Sequence, residues 1–106
     1  VRLSEKEVQL IISAFNSYSL EQGSQLYLFG SRTKDHLKGG DIDLLLTTPH
    51  LIAKKRLRAV SHYILSGLKE NLGDQKIDLK IETHEGCSLD PFLKGITGEA
   101  VLIHQW

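Results

Sequence analysis

The sequence predicts an α/β (α+β) fold, a small mixed β-sheet of about four strands covered by helices. Three observations carry this. Short apolar runs end at Gly or Pro, as buried strands do. Longer stretches between them repeat their apolar residues at helical spacing. The elements also alternate along the chain, in the order helix, strand, loop, strand, long helix, strand, short helix, strand. At 106 residues the chain is expected to form one domain over 1–106, with four strands and about three helices.

Each element has its own local cause. Ser4-Glu5-Lys6-Glu7 has the Ser-x-x-Glu form of a capping box, and Val8, Ile11, Ile12 and Phe15 continue the helical period to about Tyr18. Leu26-Tyr27-Leu28-Phe29, stopped by Gly30, reads as a buried strand. A polar loop from Ser31 to Gly40 follows, and Asp41 to Thr48 is a second strand stopped by Pro49. From Leu51 to Leu72 one long helix is predicted. Its apolar face is Ala53, Leu57, Val60, Ile64 and Leu68, its basic side is Lys54, Lys55, Arg56 and Arg58, expected to be solvated, and Gly73-Asp74 closes it. Lys76 to Glu82 alternates, with Ile77, Leu79 and Ile81 on one face and Asp78, Lys80 and Glu82 on the other. Asp90-Pro91 opens a short helix, and Ala100 to His104 forms a last strand.

Composition narrows the function classes. Lys plus Arg and Asp plus Glu both total 13. This formal neutrality argues against extended nucleic acid, whose binding needs a positive excess. A nucleotide needs only a local patch. The single Cys87 excludes a disulfide framework and a Cys-rich metal site and points to a reducing, cytoplasmic setting. No apolar run reaches the length of a membrane span. The chain has no Met, so Val1 is expected not to be the translation start. Cys87 is placed in a polar loop, Tyr18, Tyr27 and Tyr63 in the core or at its edge, and the five histidines show no metal-ligand spacing.

The residues that carry chemistry are acids. Asp41 and Asp43, one residue apart on a strand, project from one face. Paired anions repel unless a cation lies between them, and Mg²⁺ suits hard oxygen ligands while leaving positions for phosphate oxygens. Asp78, on the polar face of a later strand, joins them if the two strands are neighbours. Its bland alternative is an ion pair with Lys80 or Lys76. Gly30 lets the chain turn tightly after its strand and approach a phosphate. Ser31 supplies a hydroxyl, and Arg32 and Lys34 supply neutralising charge.

Gly30-Ser31, nine residues, then Asp41-Ile42-Asp43, with Asp78 on a later strand, resembles the nucleotidyltransferase superfamily typified by polymerase beta. The likeness is greatest to its minimal nucleotidyltransferases of bacteria and archaea, often encoded beside a helical partner of the HEPN class. It covers nearly the whole chain by element order. The residue before the first Asp is Ser in many members and Gly40 here, a change that removes no ligand. The resemblance implies that Ser31 contacts the terminal phosphates and that Asp41 and Asp43 ligate two Mg²⁺ ions. Asp78 would hold the ion that activates the acceptor hydroxyl. The expected activity is transfer of a nucleoside monophosphate, AMP from ATP, to a hydroxyl of a partner protein. The chain would be the antitoxin-like half of a HEPN pair, and so a hetero-oligomer. The alternative is a nucleotide-binding module that neutralises its helical partner without catalysis.

Overall fold

The computed structural model describes residues 3–30, 42–73 and 75–106. Helix α1 (Glu5–Asn16) leads into strands β1 (Gln25–Phe29) and β2 (Ile42–Thr48). Helices α2 (Leu51–Ala59) and α3 (Ser61–Leu72) carry the crossover to β3 (Ile77–Thr83). The chain then forms α4 (His84–Leu89), α5 (Pro91–Glu99) and β4 (Val101–Gln105). The predicted capping box is formed, Glu7 N–H donating to Ser4 Oγ at 3.1 Å and Ser4 N–H to Glu7 Oε1 at 3.0 Å. Asp90 Oδ1 accepts from the amides of Phe92 and Leu93 and starts α5, with Pro91 in its first turn.

The sheet is mixed, as predicted, in the order β3-β2-β1-β4. β2 runs parallel to β3, while β1 is antiparallel to both β2 and β4. One face packs Leu26, Leu28, Ile42, Leu44, Leu46, Ile77 and Ile81 against Ile11, Phe15, Leu57, Ile64 and Leu68 of α1, α2 and α3. The opposite face packs Leu45, with Tyr27 and Phe29, under Cys87, Leu93 and Ile96 of α4 and α5. The central strand β2 is thus covered on both sides, which is why its apolar run is continuous. Asp43 is its one position that is not buried.

Three expectations about local structure are corrected. The long helix is two: Val60 (φ −111°, ψ 10°) interrupts it. The apolar face holds, with Ala53, Leu57, Ile64 and Leu68 buried, but α2 packs on β2 and β3 whereas α3 packs on α1 and β3. A bend lets one stripe follow two surfaces. Helix α4 was not foreseen, and it places Cys87 in a buried helical position rather than a polar loop. With it the described residues form five helices, not about three. Tyr63 is 61% exposed, outside the core. No helix among the described residues is long and apolar enough to cross a membrane.

Candidate active site

The face of the sheet beneath α4 and α5 is a lattice of rows set by strand register. Residues opposed on neighbouring strands project to the same side. Phe29 opposes Asp43, and Asp43 opposes Asp78. The next row is Tyr27, Leu45 and Lys80, and the one after it Gln25, Thr47 and Glu82. Asp43 and Asp78 therefore stand side by side on adjacent strands, about 4.8 Å apart along the hydrogen-bonding direction. Each is the second residue of its strand, so they lie at the end of the sheet where β1 exits into Gly30. The structure brings these three sequence-predicted residues together. Ser31, Arg32, Lys34 and Asp41 lie outside the described residues.

Gly30 is shaped by this neighbourhood. Its φ is +77°, a left-handed conformation that costs a side-chain-bearing residue about 1–2 kcal/mol. A Cβ there would lie 2.5 Å from Asp43 Oδ2, so only glycine lets the backbone close over that carboxylate. Asp78 is more open, its side chain 50% exposed, and Lys80 Nζ lies 3.3 Å from its Oδ2. The bland alternative weighed for Asp78 is thus present in the fold. It does not displace the acid from the row it shares with Asp43.

Two rows along β3, Glu82 faces quite different surroundings. Lys54 Nζ approaches its Oε1 at 2.6 Å and Arg58 its Oε2 at 3.8 Å, and Thr83 N–H donates to Oε1 at 2.9 Å. Burial pushes this carboxyl up, but the hydrogen bonds from Lys54 and Thr83 and the charges of Lys54 and Arg58 outweigh it. Its pKa lies below the ordinary glutamate value. Helix α4 passes directly over it: a Cβ on Gly86 would lie 2.5 Å from Glu82 Oε1.

The basic side of α2 is the exposed face expected at Lys55, Arg56 and Arg58, but Lys54 is partly buried and three of the four are engaged. Lys54 is spent on Glu82. Arg58 donates through Nε and Nη2 to the Ile81 carbonyl, and Arg56 through Nη1 and Nη2 to the carbonyls of Tyr18 and Ser19. Arg58 thereby occupies part of the outer edge of β3, an end strand of the sheet. Cys87 is buried where α4 packs on the sheet. Burial, with the charges of Glu82 and Asp90, raises its thiol pKa, which disfavours the thiolate.

The two described carboxylates are hard oxygen donors of the kind Mg²⁺ takes. The lack of a side chain at Gly30 lets the backbone approach Asp43 Oδ2 closely. Among the described residues no group of three or more His, Cys, Asp or Glu side chains is arranged to hold a metal. A cleft of about 660 Å³ runs beside β3, lined by Arg58, Lys80, Glu82, Asp90 and Phe92 among others. Asp43, Asp78 and Gly30 do not line it.

The family model of the nucleotidyltransferase domain matches residues 8–103. The chain belongs to the nucleotidyltransferase domain family. No curated protein matches its sequence. The match makes the chain a member of the polymerase beta-like nucleotidyltransferase superfamily, and the mixed four-stranded sheet is consistent with that fold. Of the residues that the sequence singled out, Asp43, Asp78 and Gly30 lie together in this nucleotidyltransferase domain. Sequence reasoning missed Glu82 and its two cations, although a Glu in phase with Asp78 on an alternating strand was visible.

Proposed function

We propose that this nucleotidyltransferase domain transfers a nucleoside monophosphate, AMP from ATP, to an acceptor hydroxyl on a small helical HEPN-type protein. In this reading it is a minimal nucleotidyltransferase and the antitoxin-like member of a hetero-oligomeric pair. The supporting observation is the register that sets Asp43 beside Asp78 on one face, at the sheet end where Gly30 leaves β1. The partner is supported by exposed apolar side chains, among them Ile52, Leu89 and Phe92, which a protein surface would cover.

In this reading Asp41, Asp43 and Asp78 hold two Mg²⁺ ions. When bound, these supply the charge that stabilises attacking and leaving oxygens in an in-line displacement at the α-phosphate, with pyrophosphate released. Asp78 orients the acceptor hydroxyl and takes its proton. Gly30 admits the triphosphate close to the backbone, Ser31 donates to its terminal phosphates, and Arg32 and Lys34 neutralise them. Rate enhancement comes from positioning and electrostatics.

The test mixes the chain with its helical partner, Mg²⁺ and ATP labelled at the α-phosphate. The expected result is label on the partner with the wild-type chain and none with Asp43→Asn at an unchanged melting temperature. Equal labelling by Asp43→Asn would sink the reading. Binding of the partner without label would favour a nucleotide-binding module that neutralises its target by contact alone.

A further inference from the structure

The three charged residues of β3 that share one face are Asp78, Lys80 and Glu82, so Lys80 stands two residues from each of two carboxylates. Either is within reach of a four-carbon side chain. The fold decides between them. Glu82 already holds Lys54 at 2.6 Å, Arg58 at 3.8 Å and the Thr83 amide at 2.9 Å, and Gly86 of α4 presses against its carboxyl group. Lys80 turns the other way and places its ammonium 3.3 Å from Asp78 Oδ2.

Resting on the function proposed above, we infer that Lys80 is a tethered competitor for the divalent ion at Asp78. Its ammonium occupies the carboxylate oxygen that the acceptor-side ion needs, lowers the affinity for that ion, and is displaced on loading. An ammonium and a divalent cation both seek the same hard oxygen, and like charges repel at this range. The pair is suited to exchange because it is half exposed: the side chains of Lys80 and Asp78 are 37% and 50% accessible. An ion pair in that setting is weak, so it biases occupancy without blocking it. The displaced side chain has room, since Lys80 also borders the cleft that carries the carboxylates of Glu82 and Asp90. Lys80 is thus a positioning residue that acts through Asp78.

The experiment titrates Mn²⁺ alone into the chain and counts bound ions by electron paramagnetic resonance, for wild type, Lys80→Gln, Lys80→Arg and Asp78→Asn. Wild type is expected to bind two ions, one more weakly, and Asp78→Asn to lose the weaker one. Lys80→Gln should tighten that weaker site about threefold, the size expected of an exposed ion pair, at an unchanged melting temperature. Lys80→Arg, which keeps the cation, should stay within about twofold of wild type. If Asp78→Asn loses the ion but Lys80→Gln binds it no more tightly than wild type, the role of Lys80 is overturned and the metal site stands. If Asp78→Asn binds Mn²⁺ as wild type does, both the site and the competitor are overturned.

Discussion

Asp78 and Glu82 are both carboxylates, on one strand and one face, four residues apart, yet the fold uses them oppositely. Glu82 is enclosed: its side chain is 17% exposed and it is held by Lys54, Arg58 and a backbone amide. Asp78 is half open, and among the described residues it is paired with Lys80 of its own strand. The difference follows from what covers each row. Helix α2 supplies cations to the Glu82 end and α4 closes over it, whereas the Asp43–Asp78 row lies at the other end of the strands, where β1 turns out through Gly30. One charged face of a strand can therefore be enclosed and ion-paired at one end and left half open at the other.

That contrast can be broken by exchanging one atom at each end. Asp78→Asn is expected to abolish nucleotidyl transfer while leaving unfolding free energy within about 0.5 kcal/mol of wild type, as for surface substitutions. Glu82→Gln should do the reverse, retaining transfer but costing about 2 kcal/mol in chemical denaturation, because Lys54 keeps a partly buried charge without its partner. Transfer assays and denaturant titrations of both variants decide it. If Glu82→Gln lost activity at full stability, the division between the two ends would be wrong.

Acid sharpens the comparison. The pKa of Glu82 is lower in the folded chain than in the unfolded one. Its stabilising contribution is therefore complete above the ordinary glutamate pKa, near about 4.3, and is lost as pH falls through the lowered folded value. Stability measured from neutral pH down into that acid range should fall less steeply for Glu82→Gln than for wild type. A parallel fall in the two proteins would show that Glu82 is not the group protonated.

The smallest effect concerns the helix above Glu82. Gly86→Ala would ordinarily favour a helix by about 1 kcal/mol. Here the added Cβ would meet the Glu82 carboxyl group, which Lys54 holds in place. The clash outweighs the propensity, and Gly86→Ala is expected to destabilise by about 1 kcal/mol. In the Glu82→Ala background the same change should become neutral or stabilising, a coupling that a double-mutant cycle measures.

Most of the architecture was legible because it rests on local patterns. The capping box at Ser4, the alternation of Ile77, Leu79 and Ile81 with Asp78, Lys80 and Glu82, and the Asp90-Pro91 helix start are each written in a few consecutive residues. Helix α4 was harder to see. Its six residues include Gly86, and its start depends on the Thr83 hydroxyl accepting from the Gly86 amide, a cap without the acidic partner that makes a capping box recognisable. The interruption at Val60 was invisible for another reason: periodicity fixes which side of a helix is apolar, not which neighbours that side must follow.

By itself the sequence determined most of the elements and the face to which their side chains belong, and it singled out the acids proposed to carry the chemistry. Only the tertiary structure decided that β2 and β3 lie parallel and in the register that puts Asp43 beside Asp78. It alone gave Lys54 and Arg58 to Glu82 and left Lys80 to Asp78. The reason is range. A period of two or 3.6 residues is imposed by backbone geometry within one segment, whereas pairing between segments is settled by burying apolar faces together, and that choice exists only once the chain is folded.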